Sequence, residues 1–479
     1  MKAATYHARW FETPVLLPIV VVLAGMLWLG TAELGMPWPL SLLLLSQAVL
    51  LFLAFHRPVW ALASLLLGQL TTTGYMLQLT SQLQISIHFL WTIMAVLLVM
   101  PILAQKGLNL GPTARRVLIP AVLFFIIATV ANALNTSLSY TLEYLRETAT
   151  ALVILLLIPA LVKTKRDIKL LGLVVLVTAL ISSVFAIIQY GSYLGVKWLP
   201  YYSILATGAS EGRMPGLTES PLALSFDISL VILIVLGLLL IKGVSGRAGK
   251  ILVFLVLVMS LALYFTYTRS AIFGLAGGVL TMALLLKSRL RNEVILVVLI
   301  VAVGFFFLSG IASSRYSSVL SDQSAASRPV LWTAGMHIVM DHPIVGIGHE
   351  RFREVSTAYT STVSSGLLET QGAGAVLGVY EPHNDFLNVW LSFGTLALIA
   401  FVWLWVSIFV NFVRSYRQSS NNFITGLALG CIGALAGLCV NSFLHNIMDS
   451  QLFLWILGGL SIAAYNLVLH QKHLREETI

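Results

Sequence analysis

The sequence predicts an all-α polytopic integral membrane protein with about 12 to 14 transmembrane helices and one large, helical outer loop. Three observations carry that reading. Hydrophobic residues make up 58% of the 479-residue chain and charged residues only 10%, whereas soluble domains carry about 25% charged residues. Apolar runs of about 17 to 25 residues recur from end to end, the length at which a helix spans a bilayer core. The alternating ten-residue segments of a transmembrane β-barrel are missing.

In order, the runs predict spans near 14–30, 37–55, 58–79, 86–104, 117–136, 148–162, 168–191, 222–241, 251–268, 270–286, 294–310, 386–413, 423–443 and 450–470. Lys2 and Arg9 precede the first run as in a signal peptide. No A-x-A cleavage site follows, so this run reads as an uncleaved span. Cys431 and Cys439 sit inside an apolar stretch and read as small hydrophobes. With the N-terminus inside, 20 of the 28 lysines and arginines fall on the inner side. The other eight are Arg146, Lys197, Arg213, Arg269, Arg315, Arg328, Arg351 and Arg353. The net charge of +9 therefore follows the positive-inside rule, and no nucleic-acid partner is expected.

The chain divides into N-terminal spans (1–310, with a short external loop at 192–221), a large outer loop (311–385) and C-terminal spans (386–479). The 311–385 loop is far longer than a connection needs, which points to function. Within it "RPVLWTAGMHIVMDHP" predicts an amphipathic helix ended by Pro343, and "VGIGHERF" a glycine turn into a second helix.

The stretch "VYEPHNDFLNVWLSFG" (379–394) is unusually polar for its setting. Pro382 cannot continue a helix, and Asn384 or Asp385 suits the N-cap of the next one. That places His383 at the outer mouth of the span 386–413. The partial positive charge of a helix N-terminus disfavours imidazolium, so His383 would stay neutral, as a general base must. A histidine that merely satisfies a polar interfacial turn fits this stretch equally well. Arg213 lies in the Gly/Pro-containing "EGRMPGLTESP", and Arg269 at the tip of a tight outer hairpin after "YFTYT". A single tip arginine can snorkel to headgroups. Two arginines converging beside a neutral histidine would suit a diphosphate whose lipid tail lies in the bilayer.

The outer acidic residues Glu211, Glu219, Asp322, Asp341, Glu381 and Asp385 are scattered without a DxD pair, so neither metal nor cofactor is expected. His337, His342, His349 and His445 near the outer face read as structural, with His342 able to orient the loop. Asp449 is a candidate partner for an outer arginine. Tyr201, Tyr202, Trp332 and Tyr380 fit an interfacial belt as well as a sugar platform.

"RPVLWTAGMHIVMDHPIVGIGHERF" followed by "PHNDFLNVWLSFGTLAL" resembles the signature of the O-antigen ligase and O-antigen polymerase superfamily. The family pattern is an Arg/Trp helix, "hPl-G-G-F", a long outer loop, and "HN-L" opening a helix that ends in a glycine. "GRMPGLTESPLALSF", "YTRSAIFGLAGGVL" and "NSFLHNIMDSQLFLWILGGL" extend the likeness over roughly 200–465. The fourteen spans exceed the dozen or so usual in that family.

The resemblance implies a GT-C-like glycosyltransferase of the bacterial inner membrane, with both termini cytoplasmic and the active site periplasmic. Its donor would be an undecaprenyl-diphosphate-linked glycan. Its acceptor would be lipid A-core oligosaccharide in a ligase, or a second lipid-linked glycan in a polymerase; the long loop favours the ligase. Carried over by position, His383 is the base and Arg213 and Arg269 bind the diphosphate. Arg328, Asn384, Asp385 and His342 contact substrate or position the loop. A lipid or polysaccharide transporter is the rival from another class. It calls for matching broken spans in two halves and charges near mid-membrane, and no half-to-half similarity is evident. No H-E-x-x-H supports a zinc protease, and no suitably placed Gly-x-Ser-x-Gly an intramembrane one.

Overall fold

The computed structural model describes residues 38–71, 76–78, 84–196, 212–287, 289, 291–293, 323–362, 377–378, 380–447 and 452–477. The expected spans 14–30 and 294–310 lie outside the described residues, as do Lys197, Tyr201, Tyr202, Glu211, Arg315, Asp322 and Asp449. The described helices are α1 (Trp38–Leu53), α2 (Val59–Gln69), α3 (Ile87–Lys106), α4 (Ala114–Asn135), α5 (Leu138–Leu161), α6 (Lys165–Tyr193) and α7 (Pro221–Leu240). They continue with α8 (Gly246–Phe265), α9 (Arg269–Leu285), α10 (Gln323–Asp341), α11 (Phe352–Ser356), α12 (Asp385–Gln418), α13 (Asn422–Leu444) and α14 (Phe453–Glu476). Eight of these (α4 to α8 and α12 to α14) are long and apolar enough to cross a membrane. The chain is an all-helical, multi-pass membrane protein in its architecture.

One span comes out shorter than expected. Among the described residues of 58–79 the helix is α2, and Met76–Gln78 is a short strand paired antiparallel with Gln84–Ser86.

The chain forms two compact units. The first comprises Met1–Asn109 and Arg166–Ser220. There the Trp91 indole donates to Ser64 Oγ (2.7 Å), which donates to the Gln47 carbonyl (2.9 Å). Arg57 pairs with Asp167 at 2.8 Å.

The second unit comprises Leu110–Lys165 and Pro221–Ile479. Its centre is α13, whose "GLALGCIGALAG" stripe lets backbones approach closely, as small residues do in membrane helices. Gly430 and Gly426 meet Gly237 of α7, while Gly433 and Gly437 meet Gly278 and Gly274 of α9. These contacts run α7 and α9 antiparallel to α13. The first turns of α7 and α9 therefore lie at the end of α13 that carries His445. At the other end of this unit Arg116 donates to Asn411 Oδ1 of α12 (3.1 Å), and Asn466 of α14 donates to the Leu110 carbonyl (2.8 Å).

Candidate active site

α12 is not one straight span. Gly394 has φ 82° and ψ 179°, which divides it into an arm at 385–393 and a long helix at 395–418. The Phe386 ring lies 5.5 Å from that of Phe401 and 5.8 Å from that of Trp405. In a straight helix those residues would stand about 22 and 28 Å apart, so the short arm folds back along the long one. The expectation that His383 crowns a continuous span 386–413 is thereby corrected. His383 stands at the start of a returning arm, and Phe386 of that arm sits beside the second and third turns of the long helix.

The segment after α10 secures the fold-back. Thr395 N–H and Oγ1 both donate to the Pro343 carbonyl (2.9 and 2.8 Å). Ile347 and Gly348 N–H donate to the Leu391 and Ser392 carbonyls (2.8 and 2.9 Å). His342 takes part through its backbone, its carbonyl accepting from Gly346 N–H at 3.1 Å, while its side chain is exposed. The same segment docks on the end of α4. His349 N–H donates to Asn132 Oδ1 (2.8 Å), and Arg351 donates to the Asn135 carbonyl (2.9 Å). His349 also stacks on Phe393, in keeping with a structural part for this histidine.

The outer-loop helices have a core of their own. Val330, Leu331, Ala334 and Ile338 fall on one face of α10 and pack with Phe352, Leu377, Leu387 and Leu391. The short arm of α12 thus belongs as much to the loop as to the membrane helices. In the angle between its arms lies an apolar cavity of about 610 Å³, lined by Trp332, Asn384, Phe386, Trp405 and Phe443 among others.

His383 occupies the turn that opens the short arm. Asn384 is the N-cap, its side chain accepting from Leu387 N–H at 3.0 Å. His383 itself has φ 51°, a left-handed conformation in which His, Asn and Asp are enriched. Such backbone costs on the order of 1–3 kcal/mol and persists only where the surroundings enforce it. Here Trp332 Nε1 donates to the Pro382 carbonyl (2.9 Å) and Asn446 Oδ1 accepts from Asn384 N–H (2.8 Å). Asp385 Oδ1 accepts from Ile447 N–H (2.9 Å). Burial holds the His383 imidazole below its ordinary pKa, and the guanidinium groups of Arg328 and Arg353 push it the same way. Removing a cation from water and placing it near like charges both favour the neutral ring.

Arg328 and Arg353 thus both lie close enough to act on the histidine's charge, and Arg353 was not singled out from the sequence. Arg353 Nη2 pairs with Glu381 Oε1 at 3.0 Å. Arg269 opens α9 after the three-residue turn 266–268, confirming the tight hairpin. One turn on, Gly274 lies against Asn441, so Arg269 begins its helix at the end of α13 where His445 meets His383. Arg213 belongs to the first unit, in a loop fastened to α6: Gln189 Oε1 accepts from Gly216 N–H (2.9 Å), and Ser182 Oγ accepts from Leu217 N–H (3.0 Å). In that loop burial raises the Glu219 carboxyl pKa. Among the described residues no three His, Cys, Asp or Glu side chains group as metal ligands.

No curated protein matches the chain. Residues 254–402, which include Arg269, Arg328, His342, His383, Asn384 and Asp385, match the protein-family model described as O-antigen ligase, so this segment is similar to the O-antigen ligase superfamily.

Proposed function

We propose that the protein transfers a glycan from undecaprenyl diphosphate to lipid A-core oligosaccharide on the periplasmic side of the bacterial inner membrane, in a GT-C-like scaffold. The observation that carries this reading is the neutral His383, held in a strained turn beside Arg328 and Arg353 within the matched segment.

His383 takes the proton from an acceptor hydroxyl. The hydroxyl oxygen attacks the anomeric carbon and forms the new C–O bond. The bond from that carbon to the diphosphate oxygen breaks on the opposite face, its electron pair leaving with the polyprenyl diphosphate. A single displacement of this kind inverts the anomeric centre. Base catalysis by a positioned group contributes about 10²–10⁴-fold. Arg269 neutralises the departing diphosphate, an electrostatic role often larger still. The diphosphate is a good leaving group, so the step requires neither a general acid nor a metal. The apolar cavity beside Asn384 offers hydrocarbon surroundings for the isoprenoid tail.

The test is transfer by purified protein given lipid-linked glycan and lipid A-core without divalent metal, comparing wild type with His383→Ala. Glycosylated lipid A-core formed only by the wild type supports the proposal. Glycan lengthening on the carrier lipid instead makes the protein a polymerase and removes the acceptor assignment. An active His383→Ala protein removes the base.

A further inference from the structure

The Glu381 side chain and the Asn384 backbone N–H flank His383 in the sequence and meet on one side chain from a distant helix end. Asn446, just beyond the last turn of α13, donates through Nδ2 to Glu381 Oε2 (3.1 Å). Its Oδ1 accepts from the backbone N–H of Asn384 (2.8 Å). One amide therefore grips the chain two residues before His383 and one residue after it. The next residue, Ile447, adds its N–H to Asp385 Oδ1. The preceding residue, His445, lies edge-on against the His383 ring, and Glu381 is held from its other oxygen by Arg353. A left-handed histidine needs its neighbours fixed on both sides, because the surrounding structure must hold such a backbone in place. Asn446 does this on both sides through one amide.

We propose that Asn446 is a positioning residue for His383: by bridging Glu381 and the Asn384 backbone it sets the direction of the imidazole toward the acceptor hydroxyl. The proposal rests on His383 being the base. Asn446 touches no reacting atom, so its effect appears in turnover and not in donor binding. A displacement of about 1 Å in a catalytic group costs on the order of 10²-fold.

The charged and titratable groups around this clasp are Glu381, Arg353, Arg328, Asp385 and His445. The donor and acceptor roles of the Asn446–Glu381 bond can be exchanged without changing its length. In Asn446→Asp the 446 side chain keeps an oxygen for Asn384 N–H but turns a second oxygen toward the Glu381 carboxylate. Adding Glu381→Gln restores a donor across that gap and still leaves an oxygen for Arg353.

The experiment measures kcat and donor KM by the transfer assay for full-length protein in nanodiscs, per folded molecule, for Asn446→Ala, Asn446→Asp, Glu381→Gln and the Asn446→Asp/Glu381→Gln pair. Hydrogen exchange is followed in parallel on the peptide spanning 381–388. The proposal predicts that Asn446→Ala and Asn446→Asp lower kcat by roughly 10- to 100-fold with KM within about threefold, and speed exchange in that peptide. The double variant recovers most of kcat and of the protection. It is overturned if Asn446→Ala turns over at the wild-type rate, or if activity falls only as the folded fraction falls. It is overturned too if the double variant recovers no more than the singles. His383→Asn run alongside separates the two readings. If that variant is active, the base assignment fails, even where the exchange data show the clasp intact.

Discussion

The imidazole rings of His383 and His445 meet edge to face with centroids 5.9 Å apart, and His445 rests in turn on Phe226 at 5.8 Å. The contact ties the turn before α12 to the ends of α13 and α7. Pairs of this kind contribute about 0.5–1.5 kcal/mol beyond their buried area. His445→Ala should therefore lower turnover by roughly two- to tenfold, by loosening the His383 ring. His445→Phe, which keeps a flat ring, should stay near wild type. An inactive His445→Phe protein would show that His445 has chemistry of its own.

The pH profile follows from the surroundings of His383. Its pKa is lowered, so the neutral base survives to a lower pH than an ordinary histidine would allow. Activity should be flat through neutrality and fall only as pH drops below the usual histidine range. Arg353→Gln or Arg328→Gln removes a repelling charge, which raises the pKa and moves the acid limb upward. Rates from about pH 5 to 8 check this. A limb that stays put in both variants contradicts it.

Gly394 should tolerate no side chain. Its φ of 82° is unfavourable for any L-residue, and a Cβ there would strike the Ile344 carbonyl. Positive φ with extended ψ is essentially confined to glycine and costs another residue on the order of 1–3 kcal/mol, and overpacking costs about 1–3 kcal/mol more. Gly394→Ala should lower the thermal midpoint in detergent by several degrees, with transfer lost as the short arm shifts. An unchanged midpoint would contradict the fold-back.

Arg269 should act through charge on the donor. Arg269→Ala is expected to raise donor KM and cut kcat together, because the diphosphate is held in both ground and transition states. Arg269→Lys keeps a point charge but loses the bidentate fork, so it should fall between. Steady-state kinetics against donor concentration decide. A wild-type Arg269→Ala removes the residue from the site.

Much of this was legible in the sequence because it is local. Apolar run lengths located the described long helices. Asn384 as N-cap and the turn at 266–268 followed from residue type and spacing, and the "PHND" run marked the histidine. What stayed hidden depends on residues far apart. "LNVWLSFGTLAL" reads as a single span, since its hydrophobicity does not change at Gly394. The break is imposed by the carbonyls of Ile344 and Pro343, about fifty positions earlier. Asn446 sits 65 residues from Glu381, and no local pattern announces that bridge. Arg353 looked like one loop charge among several until α11 carried it toward His383. The glycine of "HN-L" helices in the resembling family was the one local hint of the fold-back.

The most direct test of the central claim is the single-turnover transfer rate of His383→Asn against wild type. Asparagine accepts positive φ, so the variant should unfold at the wild-type temperature and keep its site, lacking only the base. The account predicts a rate at least about 10²-fold lower with the thermal midpoint unchanged. A folded His383→Asn protein that transfers glycan at the wild-type rate would contradict it.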